Sequence, residues 1–188
     1  MQMKWLRTVA YFAFAGLSGC AQPDNVNYSN PLLAPGTETG SFCSQLVHVI
    51  VRGTESPNGK GYFGALRGAR IDDNLFAGKI KIGNAENCYV DYSFGKFHAK
   101  YTCIYGDAPS SEYGKLVRTL NQLEAEIDTC LVERDVFNFN MHGKSRYFNA
   151  IRRDDSVVYY DRWRHQSVEV KIEDADDFGR LFMVIDSL

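Results

Sequence analysis

Five cysteines carry most of the chemical potential of this 188-residue chain: Cys20, Cys43, Cys88, Cys103 and Cys130. No two stand in a Cys-x-x-Cys spacing, which disfavours a structural zinc site. The histidines His48, His98, His142 and His165 are scattered, and none lies four residues from another. No His-Glu-x-x-His occurs, so they read as surface residues and no metal is expected. The acidic run Glu173-Asp174-Ala175-Asp176-Asp177 begins like a calcium loop, yet Ile185 stands at the twelfth position from Asp174, where a bidentate glutamate is required. A solvated turn is the expectation there. No Gly-x-Ser-x-Gly nucleophile motif is present, and Gly59-Lys60-Gly61 lacks the spacing and hydroxyl of a phosphate-binding loop. No catalytic residue and no cofactor are therefore assigned. One segment has the composition of a binding hot spot: Arg162-Trp163-Arg164, followed by His165. Trp and Arg are enriched where protein partners dock, and guanidinium groups pair with carboxylates or phosphates.

The surroundings of Cys20 are the most specific feature. Lys4 and Arg7 precede an apolar run, Thr8 to Gly16, of nine residues. A bilayer span needs about 20, whereas a secretory signal needs only such a basic start, a short apolar core and small residues at the cut. Leu17-Ser18-Gly19-Cys20 follows directly, and this order resembles the lipobox of bacterial lipoproteins. The resemblance covers residues 1–20 alone. It implies that residues 1–19 are removed as a signal peptide and that the Cys20 thiol and the new amino terminus become acylated. Two or more acyl chains hold a protein stably at a membrane. Ala21 stands where an aspartate would imply inner-membrane retention, so the outer membrane is the expected site, with the domain facing the periplasm.

Without residues 1–19 the chain has 169 residues, with 19 basic and 23 acidic side chains and a net charge of −4. That size suits one domain. The acidic balance argues against nucleic acid as a partner, which would require a basic excess or stripe. Residues 20–40 read as a flexible tether, since Pro23, Pro31 and Pro35 fall among Asn, Thr and Gly with no periodicity. Some 20 flexible residues reach roughly 25 Å on average.

The globular part, residues 41–188, must position the remaining cysteines. Cys43, Leu46, Val47, Ile50 and Val51 form a stripe of helical period, predicting a helix from Ser41 to Arg52 with Gly53 as its stop. A loop covers residues 54–61, and strands are predicted over 62–70 and 76–82. Gly95-Lys96 fits a two-residue type II′ turn. Phe94/Phe97, Tyr92/Ala99, Val90/Tyr101 and Cys88/Cys103 then face one another on a single apolar surface, with Asp91 opposite Lys100 on the other. A second helix is predicted over 111–131, with Leu116, Val117, Leu120, Leu123, Ile127, Cys130 and Leu131 as its stripe and Glu124 and Glu126 on its wet side. Alternation returns at 136–139, 146–152, 157–160, 168–172 and 181–185. The order helix, strands, helix, strands predicts a single-domain α+β fold, an antiparallel sheet with two main helices on one face. It also suggests a structural repeat without a sequence repeat. The layout resembles secretion-chaperone-like and immunity-type small domains, an analogy of layout only.

Four cysteines in an exported domain imply two disulfides. The hairpin register brings Cys88 to Cys103, as a hydrogen-bonded pair about 5.5 Å apart between Cα atoms. Cys43 and Cys130 fall on the apolar stripes at the start of one helix and the end of the other, so antiparallel helices would join them.

These features favour a lipid-anchored envelope protein that works by binding another protein, as a structural partner, an inhibitor or an immunity protein. An envelope hydrolase and a carrier with an aromatic pocket are the alternatives. Titratable groups clustered in a cleft would favour the hydrolase, and a large dry pocket the carrier. A flat or protruding surface of aromatic and Arg side chains would favour the binding module. Replacing Cys20 with Ser should abolish acylation and processing. Mass spectrometry of the mature amino terminus checks this, and an unmodified Cys20 in the native protein would refute the anchor.

Overall fold

A computed structural model describes residues 41–133, 148–161, 166–175 and 177–187. Helix α1 spans Phe42–Gly53. Ser41 caps it as expected, its Oγ accepting from Ser44 N–H at 3.4 Å. The helix is buried all round from Ser44 to Val51, not along a stripe. That burial explains how a run of β-branched residues stays helical, since packing overrides intrinsic propensity. It also places His48 in the interior, correcting the surface reading, whereas His98 is exposed. Gly53 is the last helical residue rather than the stop, and Thr54 forms the cap. A Cβ on Gly53 would lie 2.6 Å from the Phe63 ring, so glycine is needed there for close packing. Phe63 is fully buried and holds a left-handed backbone, φ 55°.

Eight strands follow: β1 (Arg67–Arg70), β2 (Leu75–Gly78), β3 (Asn87–Asp91), β4 (Lys100–Pro109), β5 (Phe148–Arg152), β6 (Ser156–Asp161), β7 (Gln166–Ala175) and β8 (Phe178–Ser187). Between β4 and β5 lies helix α2, Tyr113–Ile127, preceded by a 3-10 turn and followed by a π-helical turn at Asp128–Glu133. All eight strands form one antiparallel sheet in the order β1-β2-β3-β4-β8-β7-β6-β5. The fold is thus α+β, and it repeats: a helix and a four-stranded meander, twice, joined through β4 and β8. Both helices cover the same face, α1 against β8 and α2 against β4, β7 and β8.

Three expectations shift. Of the strand predicted at 62–70 only β1 forms, because Gly64–Leu66 makes a 3-10 turn. The strand predicted at 76–82 ends at Gly78, although Ile80 and Ile82 beyond it are fully buried. The third shift concerns the hairpin tip. The register is as predicted, with Cys88↔Cys103, Val90↔Tyr101 and Asp91↔Lys100. Its tip is instead two successive turns, in which Gly95 N–H donates to Tyr92 O at 2.8 Å and His98 N–H donates to Gly95 O at 3.2 Å. Gly95 takes φ +100°, which its lack of a Cβ permits. This longer tip inverts the alternation of pair types, so Cys88 and Cys103 form the closer, non-hydrogen-bonded kind, 4.0 Å between Cα atoms. The strand expected at 136–139 lies outside the described residues.

Both disulfides are present, Cys43–Cys130 and Cys88–Cys103. The first joins the start of α1 to the π-helical turn beyond α2. Between them the core is filled by Leu46, Ile50, Ile127, Leu181, Met183 and Ile185, all with no measurable exposure. Buried tyrosines serve as struts. The Tyr101 hydroxyl donates to Ile80 O at 2.5 Å and accepts from Ile80 N–H at 3.1 Å, fixing the irregular segment after β2. Burial pushes its phenol up to about 12. Tyr159 donates to Asp128 Oδ1 at 2.9 Å, tying β6 to the turn after α2.

In the chain-entropy view, the 87-residue loop closed by Cys43–Cys130 contributes about 4–5 kcal/mol and the 15-residue loop of Cys88–Cys103 about 3 kcal/mol. Urea unfolding of the two double-alanine variants should therefore show the larger loss for Cys43/Cys130. The opposite order would mean that native packing, not loop closure, sets the contribution of these bonds.

Candidate functional site

Alternation along β8 divides its side chains. Leu181, Met183 and Ile185 enter the core, while Phe178, Arg180, Phe182, Val184 and Asp186 point to the face that bears no helix among the described residues. Register extends that face across the sheet. One row runs Tyr89, Thr102, Val184, Glu169, Val158, Ile151. A neighbouring row runs Asn87, Ile104, Phe182, Lys171, Ser156, and the row on the other side runs Asp91, Lys100, Asp186, Ser167, Tyr160, Asn149. Most of these side chains are half-buried among themselves, and Ile151 and Phe178 are exposed. Two adjoining depressions of about 470 and 270 Å³ share Phe182 and Glu173 on their walls.

The charges on this face are arranged in pairs. Arg180 makes a bidentate contact with Asp107, at 2.5 and 2.6 Å, and its guanidinium lies 5.9 Å from the Phe182 ring. The hydrogen bond from Arg180 holds the Asp107 carboxyl below the ordinary range. Lys171 pairs with Glu173. Lys100 faces Asp91 in register, but its ammonium lies 3.5 Å from Asp186 and 5.0 Å from the centre of the Phe94 ring. Asp91 instead accepts from the Ser93 N–H at 2.8 Å and the Ser93 hydroxyl at 2.5 Å. Asp186 Oδ1 is buried without a hydrogen-bond partner among the described residues.

The β3–β4 tip extends the same surface. Phe94 and Phe97 are 64% and 57% exposed, where the two-residue turn would have placed both over the core. The tip is nonetheless fixed: Tyr62 N–H donates to Lys96 O at 2.8 Å, and the Tyr92 hydroxyl donates to Tyr62 O at 2.8 Å. The Phe97 ring meets Tyr62 edge-on with centroids 5.5 Å apart. Sequence carried a signal for this. Asp91 two residues before Ser93 is an Asx turn, which ends a ladder.

Other predicted residues are placed as follows. Cys20 lies outside the described residues, as do Arg162, Trp163 and Arg164. The strands flanking the latter three do pair as a hairpin, down to Asp161↔Gln166. Of the acidic run, Glu173 and Asp174 are exposed at the end of β7, where Asp174↔Gly179 and Ala175↔Phe178 are in register, and Asp177 lies in an exposed turn; Asp176 is outside the described residues. Among the described residues no three metal-ligating side chains converge, and no helix is long and apolar enough to cross a membrane. On the helical side a depression of about 340 Å³ lies between α1 and α2, where Tyr105 donates to Ile82 O at 2.9 Å. Burial raises that phenol, so it serves as a structural donor.

The contrast between faces is testable within one strand. Val184→Lys, on the open face, should cost about 1 kcal/mol or less. Met183→Lys, one residue away, buries an unpaired ammonium and should unfold the domain. Circular dichroism and thermal melting distinguish the two, and comparable losses would mean that the open face is covered in the folded protein. Comparison of the chain with protein-family models, with curated proteins and with solved structures finds no match, which leaves the geometry of this face as the guide to its role.

Proposed function

We propose that this protein is a lipid-anchored component of the bacterial cell envelope whose domain binds another protein through the open face of its sheet. The observation that carries this reading is a face of an antiparallel sheet that no helix covers among the described residues and that bears rows of half-exposed aromatic and aliphatic side chains. The scale is suitable. Six strands at about 4.8 Å spacing give a width of roughly 25 Å, and the ten residues of β8 extend roughly 30 Å. Their product approaches the ~800 Å² that each partner contributes to a standard interface. Phe94, beside Lys100, and Phe97, edge-on to Tyr62, add aromatic groups on a tip whose backbone is already fixed by hydrogen bonds, which lowers the cost of association. The composition of Arg162-Trp163-Arg164 supports the same class of role. Two disulfides fit an oxidising compartment, in agreement with the lipobox around Cys20 and an outer-membrane anchor. A tether of residues 20–40 would hold the face near the membrane without pressing it onto lipid.

A photoreactive phenylalanine analogue at Thr102, in the middle of the open face, should give one discrete protein adduct in intact cells. The same group at Lys115, exposed on α2, should give none. Equal labelling from both positions, or none from Thr102, would overturn the assignment of this face.

A further inference from the structure

We infer that the partner presents a basic surface, with a lysine or arginine that docks on Glu169; this rests on the open face being the docking surface. On its central strands β3, β4, β7 and β8 the face carries the carboxylates Asp91, Asp107, Glu169, Glu173 and Asp186 against the cations Lys100, Lys171 and Arg180. Each cation already has a carboxylate partner on the face: Asp186, Glu173 and Asp107 respectively. Asp91 is engaged by Ser93. Glu169 makes neither an ion pair nor a hydrogen bond through its side chain among the described residues, and it is half-buried.

Position makes this carboxylate different from a solvated surface charge. Glu169 stands directly between Val184 and Val158 in the most apolar row of the sheet. An apolar setting weakens hydration of a carboxylate and strengthens its attraction to an incoming cation. Lys171, two residues along β7, makes its direct contact with Glu173 and reaches Glu169 only through its field at longer range. A partner side chain reaching this row would be desolvated by the same valines, with its aliphatic stem packed on them. Arginine suits the site best, since its planar fork pairs with a carboxylate in two contacts and tolerates partial burial. The surplus of carboxylates over cations would also speed encounter with a basic surface.

The test uses a displayed library of random twelve-residue peptides selected on the whole domain. Enriched peptides should carry net positive charge with Arg or Lys beside apolar residues. Glu169→Gln should weaken a selected peptide about tenfold, near 1.4 kcal/mol, and raising the salt concentration should weaken the wild-type complex alone to a similar degree. Phe182→Ser, on the adjacent row, serves as the control for location. Neutral or acidic peptides that bind Glu169→Gln unchanged but lose Phe182→Ser would overturn the basic partner while leaving the face as a docking surface. Peptides indifferent to both variants would overturn the docking face itself, and a selection without enrichment would count against both. Circular dichroism of each variant confirms that it is folded.

Discussion

The ladder between β4 and β8 is the contact on which the rest of the structure depends. Each half of the chain is a helix and a four-stranded meander, and each meander alone would leave its last strand as an open edge. Pairing those two strands, from Lys100↔Asp186 to Pro109↔Phe178, removes both edges and makes one sheet. The core then spans the junction. Tyr101 and Cys103 from one half lie against Ile185 and Met183 from the other. Helix α1, at the start of the first half, docks on the second: Gln166 Nε2 donates to Ile50 O at 3.0 Å, and the Ser187 hydroxyl donates to Gly53 O at 3.2 Å. These are carbonyls of the last turn of α1, which otherwise require solvent or a cap.

The same ladder generates the open face. Lys100, Thr102 and Ile104 come from the first half, and Phe182, Val184 and Asp186 from the second. Neither meander holds the surface alone, so the face and the fold share one determinant. Charge pairs that cross the seam, Lys100 with Asp186 and Arg180 with Asp107, keep the polar part of the face ordered. Such exposed pairs contribute little stability; what they supply is a fixed pattern of charge.

Much of this architecture was legible in the residues. The helical stripes, the hairpin register and both disulfides follow from period and spacing, because each rests on several side chains that must agree. The misreadings have local causes. Cys43, Leu46, Val47, Ile50 and Val51 gave the impression of a helix with a single apolar stripe, whereas covering elements bury every residue from Ser44 to Val51. Leu181-Phe-Met-Val-Ile185 is apolar without a break, which hid the alternation that exposes Phe182 and Val184. Phe94 and Phe97 flank a glycine-lysine pair that fits a tight turn, and the competing Asx turn at Asp91 went unread. The alternation over 168–172 sets Glu169 and Lys171 opposite Val168, Val170 and Ile172. That Glu169 would be the carboxylate left over could not be read, because it depends on which cations the neighbouring strands supply.

The position of Cys43 has a mechanical meaning. Any pull on the segment before Ser41 enters the domain at the first turn of α1, the point from which a helix is most easily peeled. Two residues further on, the covalent bond to Cys130 diverts that load into the turn beyond α2. From there it passes to the sheet, through Tyr159 and through the buried face of α2. Tension is thus shared by two helices and carried as shear across the core rather than unzipping one end. A domain loaded through the segment before Ser41 is braced at the residue where the strain arrives.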